Sequence, residues 1–176
     1  MSQRPCEGVM PEPLAYFLTW PTYGTWLPGD ERGWVDYRIG WKPSDPNLKS
    51  IAKARMSEEA CILNSEQRLL VEDTIGAHCQ FRHWPLHAVN CRSKHVHVVV
   101  WSSIAPKQVA SQFKAWCTRR LKAWDVERRS SDPGASPLRS QWWAERGSSR
   151  WINDEQSLED ALFYVQFWQD HHAETS

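Results

Sequence analysis

The sequence predicts a single α+β domain in which an antiparallel sheet packs against helices. Segments rich in aromatic and β-branched residues alternate with segments of helical periodicity. Two of the β-type segments are separated by only a tight turn, which is typical of an antiparallel hairpin. The chain has 176 residues, 41% of them hydrophobic and 24% charged, as in an ordinary globular domain. We expect one domain over 14–172, with tails at 1–13 and 173–176.

The predicted elements follow one another as strand, helix, strand, strand, helix, strand and helix. Strands are expected at 14–20, 84–91 and 94–101 and in a hairpin over 141–152. Helices are expected at 65–81, 106–124 and 154–171, with a helical turn at 57–63 and irregular chain at 21–34, 36–50 and 130–140. This order is that of a ferredoxin-like βαββαβ sheet with helices on one face, to which a C-terminal helix is appended.

Capping signals support each of the three helices. Ser65 is a favourable N-cap residue, and Pro106 suits the first turn of the second helix. The last helix begins with acidic residues, which the positive end of the helix dipole favours.

The net charge is zero, but positive charge is concentrated in one segment. Residues 107–150 carry ten Lys/Arg against four Asp/Glu, whereas 151–176 carry no Lys/Arg and six Asp/Glu. The first 106 residues are balanced, with eleven of each sign. A basic segment of this kind attracts phosphates, unless the acidic C-terminal segment neutralises it in the fold.

Tryptophan is unusually frequent, with twelve residues. A domain of this size cannot easily bury all of them, and exposed aromatic faces beside Arg or Lys suit base stacking on single-stranded nucleic acid. Sugar and protein partners use tryptophan as well, so the composition alone leaves the partner open.

The cysteines and the apolar segments favour a cytoplasmic protein. The five cysteines are scattered without a CxxC spacing, as expected of small buried thiols in a reducing compartment. No apolar run reaches the length of a membrane span, and the N-terminus has no signal-peptide pattern. We therefore expect no membrane partner.

Two histidines on a predicted strand form the first candidate site. His95 and His97 are separated by one residue, so their side chains share one face of the strand while Val96 points to the other. Two imidazoles so placed can chelate one divalent ion, and histidines in a hydrophobic strand are costly unless paired or ligated. Core or surface histidines with ordinary hydrogen-bond partners would show the same spacing.

Tyr164 on the last predicted helix is the second candidate. Asp160, Tyr164 and His171 are spaced so that they share one helical face. A core tyrosine of an amphipathic helix would fit the same pattern, so Tyr164 gains weight only beside the histidine pair.

Five segments carry a family resemblance: YFLTWPTYGTWLPGDERGWV, KHVHVVV, QFKAWCTRRL, WWAERGSSRWIN and SLEDALFYVQFWQ. In this order they resemble the HUH single-tyrosine transposases, and most closely the REP-associated tyrosine transposases and related insertion-sequence transposases. The resemblance spans nearly the whole chain.

The resemblance implies a metal-dependent single-strand DNA endonuclease and strand transferase that acts on hairpin-containing DNA. In such an enzyme His95 and His97 hold Mg²⁺ or Mn²⁺, and the ion polarises the scissile phosphate. Tyr164 attacks the phosphorus, forms a covalent 5′-phosphotyrosine and releases a 3′-hydroxyl. The partner is then single-stranded DNA with a hairpin, such as a repeated palindromic element of a bacterial nucleoid. The resemblance leaves monomer and homodimer open.

The third metal ligand departs from the family pattern. The resemblance implies a glutamine four residues after the tyrosine, where this chain has Trp168. Gln169 lies one position further, about 100° round an ideal helix. Gln169 is the first choice if the helix is locally overwound or bulged, and Asp160 or water are the alternatives.

Six residues are candidate nucleic-acid contacts: Lys114, Arg119, Arg120, Arg150, Trp26 and Arg32. The first three lie on the basic face of the second predicted helix, which could equally be a solvated surface. The last two belong to a loop that the resemblance places near a single-stranded guide, although a packed structural loop fits as well. Arg150 follows Trp142 and Trp143, an aromatic and basic mixture suited to base stacking if these tryptophans are not core.

Two other classes of function fit parts of this pattern. A non-catalytic module that binds single-stranded DNA or RNA on a ferredoxin-like fold needs stacking residues, but it does not need His95, His97 and Tyr164 together. A metallohydrolase with water as the nucleophile makes Tyr164 dispensable. The sequence offers no third histidine or carboxylate at a recognisable ligand spacing for such an enzyme.

Overall fold

The computed structural model describes residues 12–36, 38–131 and 138–168. The strands in these ranges are β1 (Ala15–Pro21), β2 (Trp34–Asp36), β3 (Gly40–Lys42), β4 (Leu86–Cys91), β5 (His95–Val100) and β6 (Ser148–Ile152). The α-helices are α1 (Pro46–Ala54), α2 (Ser65–Arg82), α3 (Pro106–Ser131) and α4 (Glu155–Phe163). A π-helical turn, Tyr164–Trp168, continues α4.

Four strands form one antiparallel sheet in the order β4-β5-β1-β6. With α2 between β1 and β4, and α3 between β5 and β6, this is the ferredoxin-like arrangement. The predicted α+β fold class is therefore confirmed. The strand β5, which carries the histidine pair, lies inside the sheet and is paired on both sides.

A small insertion lies between β1 and α2. The strands β2 and β3 pair only with each other, and α1 follows them. Asp45 caps α1 by accepting a backbone N–H three residues on, and Pro46 occupies the first turn. The prediction of irregular chain over 36–50 is therefore wrong in part, because Pro46 marks the start of a helix instead of a break.

The strand register separates two faces of the central sheet. Val96 pairs with Trp20 and Val98 with Leu18, and these side chains join a large core under α2 and α3. The helices contribute mainly branched and aromatic residues to this core: Val71, Ile75, Val109, Phe113 and Leu121. The prediction that Val96 faces away from the histidines, into a buried layer, is confirmed.

The opposite face is covered by α4 and the π-helical turn. A smaller core forms there from Ala15, Ala88, Val99, Ile152, Ala161 and Val165. Val98, Val99 and Val100 are all fully buried, as predicted for a strand covered on both faces.

Three predicted boundaries are corrected by the structure. The segment 57–63 is not helical, and α3 runs seven residues further than predicted, to Ser131. The predicted hairpin over 141–152 is wrong, because only β6 is a strand and it pairs with β1. Trp142 is buried in the large core instead, and Trp143 forms an isolated bridge with Thr22.

The cysteines of the described ranges behave as predicted. Cys61, Cys79, Cys91 and Cys117 are free and buried, and burial raises the pKa of each thiol. The thiols therefore stay protonated and unreactive at neutral pH.

No helix in the described ranges is long and apolar enough to cross a bilayer. Of the predicted tails, 1–11 and 173–176 lie outside the described residues, as does the end of the last predicted helix, 169–171.

Thr22 gives a test of how the end of β1 is tied to its surroundings. Its buried hydroxyl donates to the carbonyl of Cys61 at 2.6 Å and approaches that of Lys94 at 3.1 Å. We expect Thr22→Val to lower the free energy of unfolding by about 1–3 kcal/mol, because a buried acceptor loses its donor. Urea denaturation measures the difference.

The matched control for Thr22→Val is Thr74→Val in α2. The Thr74 hydroxyl only bonds back to the Leu70 carbonyl of its own helix, so we expect little change. Equal effects of the two substitutions would contradict the role given to Thr22.

Candidate active site

The histidine pair and the tyrosine meet on the sheet face opposite the large core. The ring centroids of His95 and His97 on β5 are 4.6 Å apart. The ring of Tyr164, at the start of the π-helical turn, lies 5.7 Å from that of His97. The three residues singled out in the sequence are thus neighbours, and Tyr164 lies beside the histidine of its own chain.

His97 is a buried histidine whose ring nitrogens have no hydrogen-bond partner within the described residues. His97 is only 6% exposed to solvent. Burial, together with the charges of His95 and Arg92, lowers the pKa of His97 to about 3. The imidazole is therefore neutral at pH 7 and keeps a lone pair for a ligand. A buried polar group without a partner costs about 1–3 kcal/mol, which a bound cation would offset.

Phe17 on β1 packs against both functional rings. Its ring stacks on His97 and meets Tyr164 edge to face, each at 5.9 Å between centroids. Tyr164 is nevertheless 40% exposed. Phe17 therefore covers one side of Tyr164, and part of the tyrosine is exposed to solvent.

The helix that carries Tyr164 changes its hydrogen-bonding pattern at that residue. Asp154 caps the α-helical part, which ends at Phe163, and the π-helical turn begins with Tyr164. Because a π-turn bonds residues five apart instead of four, it holds about one more residue per turn than an α-helix. In a continuous π-helix the fifth residue after a given one would take roughly the direction that the fourth takes in an α-helix.

A polar row crosses all four strands at the level of His97. In the strand register His97 pairs with Asn90 on β4 and with Thr19 on β1, and Thr19 pairs with Ser148 on β6. Directly paired residues project from the same face. The hydroxyl oxygens of Thr19 and Ser148 lie 2.7 Å apart. Hydrogen-bonding groups therefore border the histidine on both sides.

A third strong ligand does not accompany the pair within the described ranges, where no group of three His, Cys, Asp or Glu side chains could hold a metal. Asp160, an alternative third ligand, is exposed and accepts a hydrogen bond from Gln156 at 3.0 Å. Gln169, the first choice, and His171 lie outside the described residues.

The basic face of α3 is separate from this site. Because α3 packs on the large core, Lys114, Arg119 and Arg120 lie on the other side of the sheet from His97. Lys114 Nζ donates to the carbonyls of residues 144 and 145 at 2.9 and 3.3 Å, and burial lowers its pKa. Phosphate contacts by these residues stay a prediction, and Lys114 already has backbone partners.

The loop with Trp26 and Arg32 begins at the histidine end of the sheet. The Thr25 hydroxyl donates to the carbonyl of Lys94 at 3.2 Å, and Lys94 directly precedes the pair. The Arg32 guanidinium lies 5.4 Å from the ring of Trp26 and donates to the buried Asp30 at 2.7 Å, which lowers the pKa of that carboxyl. The loop is thus internally braced, and half of Trp26 remains exposed.

Arg150 shares the face of the histidine pair. It is exposed on β6 and pairs in register with Phe17. Trp142 and Trp143 lie elsewhere: the first is core, and the second donates its indole N–H to Thr118 on α3. Stacking on bases is therefore open to Arg150 but not to the buried Trp142, and Trp143 is partly buried on the α3 side of the sheet.

Sequence reasoning missed four residues that border the site: Phe17, Thr19, Asn90 and Ser148. Alternation along the first strand places Phe17 and Thr19 on one face. Only the pairing register shows that this face is the one with His97, and a register is not visible in a single segment.

Comparison with known proteins finds matches among solved structures but none among family models or curated proteins. Among solved structures, a putative transposase from Deinococcus radiodurans matches with 13% identity and a TM-score of 0.44 over 98% of this chain and 99% of that one. At this identity and TM-score the match carries no weight for function, which has to be inferred from the site.

Gly147 provides a test of how closely β6 approaches the site. A Cβ added to Gly147 would lie 2.3 Å from the carbonyl oxygen of Thr19 and 2.9 Å from Cβ of Trp20. We expect Gly147→Ala to lower the free energy of unfolding by about 1–3 kcal/mol, because the strands must separate.

Gly76→Ala in α2 is the matched control, because a Cβ there meets nothing within 4 Å. In a helix interior this substitution should raise the free energy of unfolding by about 0.5–1 kcal/mol. Urea denaturation measures the free energy of unfolding of both variants. A Gly147→Ala protein as stable as the parent would refute the close approach of Gly147 to Thr19 and Trp20.

Proposed function

We propose that this protein is a metal-dependent single-strand DNA endonuclease and strand transferase, an HUH-type transposase closest to the REP-associated tyrosine transposases. The observation that carries the proposal is the contact of Tyr164 with the buried, neutral His97 of the same chain. A tyrosine hydroxyl beside two ligand imidazoles has the parts that phosphoryl transfer to a protein nucleophile needs.

In this proposal His95 and His97 hold Mg²⁺ or Mn²⁺. The buried ring nitrogens of His97 fit that use, because metal ligation needs a neutral imidazole and would give one of these two nitrogens a partner. When bound, the ion supplies positive charge to the oxygens of the scissile phosphate.

Tyr164 acts as the nucleophile. Its phenol loses a proton, and the oxygen bonds to the phosphorus while the bond from phosphorus to the 3′-oxygen breaks. The departing 3′-oxygen takes up a proton, which leaves a 3′-hydroxyl and a 5′-phosphotyrosine. Because the phosphodiester energy is kept, the 3′-hydroxyl of a second strand can displace Tyr164 and rejoin the DNA without a nucleotide cofactor. The exposure of Tyr164 leaves room for such an incoming strand.

The π-helical turn supports Gln169 as the third ligand. The turn begins at Tyr164 and includes Trp168, which stands where the family resemblance implies a glutamine. In an ideal π-helix the fifth residue after a given one takes roughly the direction that the fourth takes in an α-helix. Gln169, the fifth residue after Tyr164, is proposed as the ligand on that ground.

The DNA partner proposed here is a single strand with a hairpin. The strand would cross the histidine face, where Thr19, Ser148 and Arg150 offer hydroxyls and a cation to phosphates. Trp26 and Arg32 lie at the same end of the sheet for a guide segment. A homodimer remains open, although the own-chain contact of Tyr164 with His97 means that helix exchange is not needed to assemble the pair.

Tyr164→Phe tests the nucleophile. We expect the parent protein, with a labelled hairpin single strand and Mn²⁺, to form a protein–DNA adduct that resists denaturing electrophoresis. Tyr164→Phe should abolish the adduct and the cleavage together, because it removes the phenol oxygen that would bond to phosphorus, whereas the Thr19 hydroxyl beside His97 is already paired with Ser148. Tyr23→Phe is the matched control and should keep both.

The metal site is tested in the same assay with His97→Ala against His87→Ala, an exposed histidine of β4. Only the first should reduce cleavage to background. Cleavage that survives Tyr164→Phe would indicate a hydrolase with water as nucleophile. Tight DNA binding without any cleavage by the parent would indicate a non-catalytic binding module.

Gln169→Ala tests the third ligand. We expect the Mn²⁺ concentration at half-maximal cleavage to rise by at least about tenfold, because loss of a ligand should cost no less than loss of its supporting groups. Gln166→Ala is the control at a non-equivalent position and should leave the Mn²⁺ titration unchanged. Equal titration midpoints for both variants would remove Gln169 from the site.

A further inference from the structure

Asn90 links the sheet to the backbone of the tyrosine helix. It lies on the edge strand β4, directly opposite His97 in the register, and so on the same face of the sheet. Its side-chain amide donates to the carbonyl oxygen of Val165 at 2.9 Å. Val165 is the residue that follows Tyr164. One side chain therefore connects the strand beside the histidine to the turn that carries the tyrosine.

Two interactions hold residue 165. The hydrogen bond from Asn90 holds its backbone carbonyl, and apolar packing holds its side chain. The side chain of Val165 is fully buried in the smaller core, beside Ala88 and Val99. Because a carbonyl oxygen can only accept, the Asn90 amide nitrogen must face it, and the orientation of the amide is determined. The position of residue 165 is thus held by two independent interactions.

A π-helical turn needs support of this kind. Such turns are rare and appear mostly as single turns at functional sites. A side chain that inserts into the hydrogen-bond ladder of a helix is one of the known causes of local distortion. Asn90 donates to the carbonyl oxygen of the second residue of the turn, two residues after the α-helical part ends at Phe163.

The ring of Tyr164 has little else to hold it. Its two described ring contacts are edge contacts with Phe17 and His97, and such pairs contribute about 0.5–1.5 kcal/mol. Tyr164 as a residue is 40% exposed. The place of its ring beside His97 therefore depends also on the backbone of the turn that carries it.

We propose that Asn90 is a positioning residue that anchors the π-helical turn to β4 and so holds Tyr164 against His97 for attack. This rests on the proposed function in one respect, the role of Tyr164 as nucleophile. The anchoring itself is a statement about structure, and it can be measured without any reaction.

Asn90→Asp is the test variant, because it keeps the size of the side chain and removes the donor. In single-turnover reactions with hairpin DNA and Mn²⁺, we expect adduct formation to slow by about 10- to 100-fold, as misplacement of a reacting group does. The affinity for the same DNA, measured without metal, is compared in Asn90→Ser, which adds no charge to the histidine face, and it should not change, because Asn90 acts on the tyrosine and not on the strand. Asn47→Asp, which places the same charge on the exposed surface of α1, should leave both values unchanged.

Amide hydrogen exchange provides the readout that does not depend on activity. In Asn90→Asp the peptide covering 161–168 should exchange faster than in the parent, while α2 exchanges at the parental rate. Unchanged exchange in 161–168 overturns the proposal even if the reaction is slow. Faster exchange that extends equally through α2 also overturns it, since Asn90 would then be a general stabilising residue.

Asn90→Ser, which shortens the side chain without adding charge, keeps the question decidable if the aspartate variant does not fold. Amide exchange in 161–168 is again compared with exchange in α2, and the outcomes are interpreted as for Asn90→Asp. If the parent protein forms no adduct at all, the proposed function fails, and the exchange comparison alone decides whether Asn90 anchors the turn.

Discussion

The candidate site depends on the register in which β5 pairs with β1 and β4. This single strand supplies Val96 and Val98 to the large core and His95 and His97 to the opposite face. A slip of one residue would turn the histidines under α2 and α3 and turn the valines to the face of Tyr164. The apolar side of the strand therefore determines where its polar side lies, and packing of the core also orients the two histidines.

The parts of the fold that were predictable from the sequence are those with a local signal. Alternation in the segment that contains His95 and His97 predicts both the strand and the face, and Pro106 predicts where α3 begins. Ser65 as the N-cap of α2 was wrong by one residue, because the Asn64 side chain accepts from the Gln67 backbone N–H and caps the helix. The order of these elements then leads to the ferredoxin-like sheet. The expected hairpin at 141–152 was wrong because burial of Trp142 in the core outweighed the local hairpin pattern.

The neighbours of the histidine pair could not be predicted, because they come from segments far apart in the chain. Phe17, Asn90 and Ser148 meet His97 only through the pairing of four strands. The excess of Lys/Arg over 107–150 also could not show which face of the sheet is basic. It includes α3, which lies on the face opposite His97, and Arg150, which lies on the same face as His97. The position of a third ligand after Tyr164 was inferred for an ideal α-helix, whereas the structure has a π-helical turn over Tyr164–Trp168.

The helix α3 extends well beyond the core on which it packs. Its 26 residues span about 39 Å, whereas the six residues of β5 span about 20 Å. After Leu121 no described side chain of α3 is buried, and the ion pair of Arg128 with Glu66 joins two exposed groups, which contributes little. The outer turns can therefore unfold locally at a much lower free energy than the sheet. The molecule thus has a segment that can melt and re-form while the face with His97 and Tyr164 stays intact.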